Sequence, residues 1–357
     1  MGSEKANPLR VALVGYGFAG KTFHAPFIAT VEGLQLSHVI STDPAKVHHD
    51  WPGVTVLSSI DQACADPSIG LIVVATPNTS HFELARKSLA AGKHVVVDKP
   101  FALTVADAEK LLAQAAAARR VLSVFQNRRW DSDFIDLCRL IKEGPLGDVT
   151  HFESHYDRYR PDVRHRWRET PGPGSGIWFD LGPHLVDQVL NLFGPPDAIF
   201  ADLAVQRKGG ETVDYFHVLM RYGSRRVVVH GESFVSADLP RFAVHGTLGS
   251  YVKYGMDTQE DALKRGEKPG GPDWGVDTRP GTLYAWKDGK LQESVVPTSR
   301  GNYAGYYGAV RDAILHGAAN PTTPQDVLGV MTVLETAVRS SEERREFPFS
   351  IARPAAG

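Results

Sequence analysis

The residues best placed to do chemistry lie in three separated stretches. In GYGFAG, Gly15, Gly17 and Gly20 follow a β-branched run and precede a helical stretch. In that setting the first glycine permits a tight turn, the second lets backbone approach a pyrophosphate, and the third lets helix pack on strand. Phe18 and Ala19 complete the loop, and the helix N-terminus offers unpaired N–H groups to the phosphates. The second stretch, HVVVDKP, sets Lys99 immediately after a buried strand, on the carboxyl side of the sheet where ligands of this architecture bind. The third holds Asp180 and His184, four residues apart and so on one helical face.

Positioning these groups requires a particular set of elements. From Leu9 to about Phe125, short β-branched runs alternate with helical stretches, the mark of a parallel sheet covered on both faces. The strands are read at 10–15, 36–41, 54–57, 70–76, 94–98 and 121–125. Helices are read over Thr79–Ala91, opened by Thr79 or Ser80 and closed by Gly92, and over Thr104–Arg119, opened by Thr104. After Arg128 the texture changes. A helix over 133–143 precedes alternating runs at 149–158, 197–206, 213–222, 225–235 and 241–247, as in an open, mostly antiparallel sheet. One helix, 177–193, interrupts them. The Gly- and Pro-rich segment 257–280 reads as an excursion loop, followed by a hairpin turning at Asp288-Gly289 and by helices over 302–316 and 324–341.

The expected fold is therefore α/β: an N-terminal Rossmann domain with a doubly wound parallel sheet, 1–127, and a C-terminal α+β domain with a large open sheet, 128–357. The second domain is expected to bind substrate and to oligomerise, and its last helices could pack back on the first.

Composition narrows the function classes. The 357 residues can bury a large interior, and 42% hydrophobic with 22% charged residues is ordinary for a soluble globular protein. With 39 Lys plus Arg against 41 Asp plus Glu, there is no electrostatic footprint for nucleic acid or an anionic membrane. Cys64 and Cys138 form no CxxC, which suits a reducing compartment. The segment Met1 to Pro8 is polar and lacks the apolar stretch of a signal peptide, and runs such as Leu71 to Ala75 are strand-sized. A cytoplasmic location is expected.

The end of the second strand sets cofactor choice. An acid there accepts from a ribose 2′-hydroxyl and repels a 2′-phosphate. Here the chain reads Ser41-Thr42-Asp43, with neutral groups able to donate to a phosphate and Lys46 as a charge partner, so NADP is favoured. Asp43 keeps NAD open, and all of these could equally be turn and N-cap residues.

Taken together, the motifs resemble the family of glucose-fructose oxidoreductase, inositol dehydrogenase and MocA-type proteins, across nearly the whole chain. Its glycine fingerprint matches Gly15 to Gly20, its ATPN segment Ala75-Thr76-Pro77-Asn78, its EKP motif Asp98-Lys99-Pro100, and its Asp-x-x-x-His Asp180 and His184. GYGFAGKTFHAP, DKPF, FQNRRWDSDF and ESHYDRYRP look like a bacterial branch of NADP-dependent scyllo-inositol dehydrogenases. The resemblance implies that Lys99, Asp180 and His184 are the catalytic set, that Asn78, His81, Gln126 and Asn127 lie near the cofactor, and that the protein is a homodimer or homotetramer. Asp98 departs from the usual Glu by one methylene, leaving its contact to the cofactor or to Lys99 open.

The implied reaction is oxidation of a polyol or sugar hydroxyl, with hydride passing to nicotinamide while a base takes the hydroxyl proton. His184 suits the base because imidazole titrates near neutral pH. Lys99 would donate to the same oxygen and Asp180 would orient the imidazole or hold a substrate hydroxyl, although Lys99 and His184 could exchange roles. Tyr156, Arg158, Arg160, Arg166 and Trp167 could form a sugar-binding wall or an ion-pair lattice on the sheet. No histidine spacing reads as a metal site, and this chemistry needs no metal. The substrate could instead be an aldose, another sugar derivative or a dihydrodiol, and a non-catalytic dinucleotide sensor is the reading from another class.

Overall fold

Strands without polar alternation must be buried on both faces, and the first third of the chain builds a sheet of that kind. The computed structural model describes residues 7–164 and 166–351; residues 1–6 of the polar N-terminal segment, and His165, lie outside the described residues. Strands β1 (Leu9–Val14), β2 (Leu34–Ile40), β3 (Thr55–Leu57), β4 (Leu71–Val74), β5 (His94–Val97) and β6 (Leu122–Val124) make a six-stranded sheet in the order β3-β2-β1-β4-β5-β6. Every neighbouring pair is parallel. All four side chains of β4 and residues 11–14 of β1 are buried. The strand order reverses between β1 and β4, and in open parallel sheets that switch point is where the ligand crevice lies.

Helices α1 (Ala25–Thr30), α2 (Pro44–Asp50), α3 (Ile60–Ala65), α4 (His81–Ala90) and α5 (Val105–Ala118) form the crossovers. Thr104 caps α5, its hydroxyl accepting from the Asp107 N–H at 3.1 Å.

The rest of the chain runs α6 (Ser132–Glu143), β7 (Val149–His155), α7 (Gly176–Phe193), β8 (Ala198–Ala204), β9 (Tyr215–Tyr222), β10 (Arg225–Glu232), β11 (Pro240–Gly246), β12 (Gly249–Tyr254), α8 (Gln259–Lys264), β13 (Gly281–Lys287), β14 (Lys290–Val296), α9 (Ala304–His316), α10 (Pro324–Glu343) and β15 (Phe347–Pro348). Its strands form a nine-stranded sheet in the order β14-β13-β12-β11-β7-β10-β9-β8-β15. Only β7 and β10 pair in parallel. The β13–β14 hairpin turns at Asp288 and Gly289, with φ of 52° and 72°, the positive angles a tight two-residue hairpin demands.

The chain divides into two compact units, one built from residues up to Asn127 with Gln259–Trp274 and Asn302–Val327, the other from Arg128–Thr258, Gly275–Gly301 and the residues from Leu328. Segment 302–327 thus belongs with the parallel sheet. It covers the β6 edge: Asn320 Nδ2 donates to the Leu122 carbonyl at 2.7 Å and Thr322 Oγ1 to that of Val124 at 2.9 Å.

The excursion loop expected over 257–280 needs correction. It contains α8, and Gln259 Oε1 accepts from the Tyr303 N–H at 2.7 Å and from Trp274 Nε1 at 3.1 Å. The Trp274 ring meets Phe27 edge-on at 6.1 Å. Its Gly and Pro content signals turns, but distant aromatic and amide contacts give it structure. Strand β12 escaped sequence reading because Lys253 stands at one of its inward positions, fully buried with Nζ 2.8 Å from Asp277 Oδ2.

No helix among the described residues is long and apolar enough to cross a membrane.

Candidate active site

In the parallel-sheet unit the glycine loop follows β1. Gly15 has φ +95°, and a Cβ there would sit 2.7 Å from the Ala75 carbonyl oxygen. At Gly20 a Cβ would strike the Gly15 carbonyl. Gly17 is different: a Cβ there meets nothing within 4 Å, so the protein's own packing does not demand glycine at that position. The open space suits a group that approaches backbone closely, as a pyrophosphate does. The following turn, Gly20–His24, is wound in the wide π form, and no side chain caps its start. Phe18 is exposed.

At the end of β2, Ser41 Oγ accepts from the Asp43 N–H at 3.1 Å, and Asp43 Oδ1 accepts from the Lys46 N–H at 3.0 Å. Asp43 is thus the N-cap of α2, at the step where a short helix must start on a proline. Lys46 Nζ donates to the Tyr16 carbonyl at 3.1 Å, which sets a cation against the glycine loop, and Thr42 is exposed.

The remaining residues of this half follow β4, β5 and β6. After β4, Thr76 Oγ1 lies 2.7 Å from Ser80 Oγ, and Asn78 is buried at the start of a 3₁₀ turn that follows Pro77. His81, also buried, sits between two carbonyls, Nδ1 2.8 Å from Pro100 O and Nε2 2.9 Å from Thr76 O. Burial lowers its pKa, with Asp98 and the two carbonyls opposing. After β5, Asp98 Oδ1 accepts from the Lys99 N–H at 2.8 Å. Burial pushes the Asp98 carboxyl up, but His24, Lys99 and His81 outweigh it and hold the group below the usual carboxylate range. After β6, Gln126 and Asn127 are buried, and Gln126 Oε1 has no hydrogen-bond partner among the described residues. A buried acceptor of that kind fits a ligand amide or hydroxyl.

Sequence reading missed His24 and Tyr307. His24 Nε2 lies 3.7 Å from Asp98 Oδ2, and its Nδ1 lies 2.6 Å from the Tyr307 hydroxyl. Within the chain the shorter Asp98 reaches the Lys99 N–H and lies beside His24. Only strand pairing and the packing of α9 bring these groups together, and local spacing carries no signal of it.

In the second unit, α7 buries Trp178, Leu181, Leu185, Val186 and Val189 and packs against β9 and β10, with Trp178 Nε1 donating to the Leu334 carbonyl at 3.1 Å. Gly182 is required by that packing, since a Cβ would lie 2.6 Å from the Trp178 ring. Asp180 and His184 share one side of the helix. Asp180 Oδ1 is 3.3 Å from Arg168 Nε, and the His184 imidazole is largely buried.

Among the residues proposed for substrate, Tyr156 is buried beneath three guanidinium groups, Arg128, Arg158 and Arg241, at 5.4, 4.9 and 5.5 Å from its ring. Arg166 belongs to an ion-pair lattice: it meets Glu169 at 2.7 Å, Glu169 meets Arg207 at 3.0 Å, and Arg207 meets Asp214 at 2.8 Å. Burial, together with Arg158, Arg164 and Arg166, lowers the Arg160 pKa. Trp167 is exposed, with the Arg168 guanidinium 4.7 Å from its ring.

A family model described as an oxidoreductase family with an NAD-binding Rossmann fold matches residues 9–126, and the α/β domain that follows it in the same family matches 139–350. The chain belongs to the Gfo/Idh/MocA oxidoreductase family. Within that family it is 51% identical to the uncharacterised oxidoreductase YdgJ of Escherichia coli over 94% of this chain and 97% of that protein. It is 38% identical to the scyllo-inositol 2-dehydrogenase (NADP+) IolW of Bacillus subtilis, over 96% of this chain and 97% of that one. A solved oxidoreductase structure from Yersinia pestis superposes with a TM-score of 0.94 at 48% identity, over 99% of this chain and 100% of the other. The chain is an oxidoreductase of this family with an NAD(P)-binding Rossmann domain.

Proposed function

We propose that this member of the family is a cytoplasmic NADP-dependent dehydrogenase that oxidises a secondary hydroxyl of an inositol-like polyol or sugar. The observation that carries the reading is the arrangement around Lys99. A buried strand ends in a carboxylate held ionised, and the same sheet presents a glycine loop with open space at Gly17. The 38% identity with an enzyme named as an NADP-dependent scyllo-inositol dehydrogenase supports the substrate class.

The NADP reading is supported by the surroundings of Asp43. Its carboxylate is engaged as the cap of α2, which leaves Ser41, Thr42 and the Lys46 ammonium as the groups to meet a 2′-phosphate. Gly15, Gly17 and Gly20 would hold the pyrophosphate, and Thr76 to Asn78, His81, Asp98, Gln126 and Asn127 would contact the rest of the dinucleotide. When bound, the nicotinamide supplies the hydride acceptor. His184 takes the hydroxyl proton, oriented by Asp180, and Lys99 donates to the substrate oxygen. Arg158 and Trp167 offer hydrogen-bonding and stacking surfaces to a polyol. Trp286, Leu291 and Val295, exposed on the β13–β14 hairpin, support assembly into a homodimer or homotetramer.

Titration of the protein with NADPH and with NADH, followed by a panel of inositols and aldoses with the matching oxidised cofactor, tests the reading. Preferential NADPH binding with turnover of scyllo-inositol is the expected result. Preferential NADH binding overturns the cofactor assignment. Binding without turnover of any polyol or sugar overturns the polyol substrate class and leaves a different substrate, such as a dihydrodiol, or a dinucleotide sensor.

A further inference from the structure

The face of the nine-stranded sheet turned away from α7 carries a cluster that the dehydrogenase chemistry does not use. Alternation along β7 sends Phe152 and Ser154 to the buried side and Glu153 and His155 to the other. The Tyr156 N–H donates to the His230 carbonyl and the Arg158 N–H to that of Glu232, both at 2.9 Å, so the ladder with β10 continues past His155 and Asp157 stays on the same face. The register sets His230 directly opposite His155, with ring centroids 5.3 Å apart.

The Asp157 carboxylate lies between the two imidazoles. Its Oδ2 is 3.2 Å from His155 Nδ1 and its Oδ1 is 3.5 Å from His230 Nε2. One ligand atom from each of the three residues lies within 4.8 Å of the other two. In a tetrahedral zinc site with bonds of about 2.0–2.1 Å, ligand atoms stand roughly 3.3 Å apart. Asp157 Oδ1 is buried and makes no hydrogen bond among the described residues, so an acceptor faces the space between the rings. Glu153 Oε2 holds the far nitrogen of His155, Nε2, at 3.0 Å. That is the carboxylate–histidine support that orients metal-ligating imidazoles. Glu232 Oε2 lies 3.7 Å from His230 Nε2, outside the three-residue group, so a water would complete a four-coordinate ion.

We propose that His155, Asp157 and His230 form a binding site for a divalent transition-metal ion, zinc foremost, that pins β7 to β10. Two imidazoles and one carboxylate suit zinc and its neighbours and are poor for calcium or magnesium, which take oxygen ligands. The ion has no part in hydride transfer, so the proposal stands apart from the dehydrogenase reading.

Calorimetric titration of the chelator-stripped full chain with Zn²⁺ tests it, alongside visible absorption with Co²⁺ as a spectroscopic substitute. One tight equivalent per chain is expected, and an intense four-coordinate cobalt spectrum. Asp157→Asn and His230→Gln each weaken zinc binding at least about tenfold, and Glu153→Gln, at a residue that supports the ligand His155 and otherwise contacts the non-ligand His151, weakens it by roughly 10–100-fold. Changing the exposed His48 and His49 to Gln leaves it unchanged. Failure of the wild type to take up zinc at micromolar concentration overturns the proposal, as does equal uptake by the His155→Gln/His230→Gln chain. Should a variant lose its far-UV circular dichroism, the cobalt spectrum of the wild type decides, and a weak six-coordinate spectrum overturns the site.

Discussion

The two sheets place their candidate functional residues by different rules. In the parallel sheet every strand points the same way, so the residues after β1, β2, β4, β5 and β6 gather along one edge: Gly15, Ser41, Thr76 to Asn78, Asp98 with Lys99, and Gln126 with Asn127. In the nine-stranded sheet antiparallel neighbours send successive strand ends to opposite edges, and Asp180 and His184 stand instead on a helix packed across the sheet. A strand-end position in the first sheet is therefore already a statement about function. In the second it is not, and a helical i,i+4 spacing carries the information.

The largest test of this contrast compares Lys99→Ala with His184→Ala. Each is expected to lower kcat/KM by about 10²–10⁴-fold, the usual worth of a proton-transfer group. His184→Ala should leave NADPH affinity intact. Steady-state kinetics with the oxidised cofactor and a polyol measure the first effect, and near-normal turnover by His184→Ala would reduce α7 to a packing element.

A smaller effect separates glycines required by packing. Gly20→Ala pushes a methyl into the Gly15 carbonyl, where backbone cannot yield, and is expected to destabilise by about 1–3 kcal/mol and to weaken NADPH binding. Gly182→Ala meets the Trp178 ring first, a side chain, and is expected to fall at the lower end of that range. Thermal unfolding of both variants checks the order, and a reversal would mean that the loop relaxes more readily than the helix.

Acidification probes the parallel sheet. Burial, with Arg120 adding to it, pushes the His94 pKa down to about 4, and Nδ1 accepts the Val121 N–H at 3.0 Å. The unfolded imidazole binds its proton near pH 6.5, so between about 6.5 and 4 the unfolded chain holds more protons and native stability falls as pH falls. Above that window His94 contributes no slope. Urea midpoints at about pH 5 and about pH 7.5 should converge in His94→Gln relative to wild type; an unchanged gap would assign the slope to other groups.

The smallest expected effect is Thr104→Ala, about 1 kcal/mol from loss of the cap on α5, read from the unfolding temperature.

Much of this architecture was legible because it is local. Continuous β-branched runs marked β1, β4 and β5 as buried on both faces, alternation marked β7 and β9 as buried on one, while β10, read as alternating, buries Val227, Val228 and Val229 in succession; Thr104 and Asp288-Gly289 announced a cap and a hairpin through backbone hydrogen-bonding rules that act within a few residues. The glycines of the first loop were readable for the same reason. Tertiary structure decided which partner each polar group meets. Asp43 caps α2 through one carboxylate oxygen, and Arg166 is paired to Glu169. His24 and Tyr307 stand beside Asp98, and Lys253 enters the interior against Asp277. His155, Asp157 and His230 converge through strand register alone. Period and spacing along a chain fix which face a side chain takes. What lies opposite that face depends on the joint burial of segments far apart in sequence, and only the folded chain determines it.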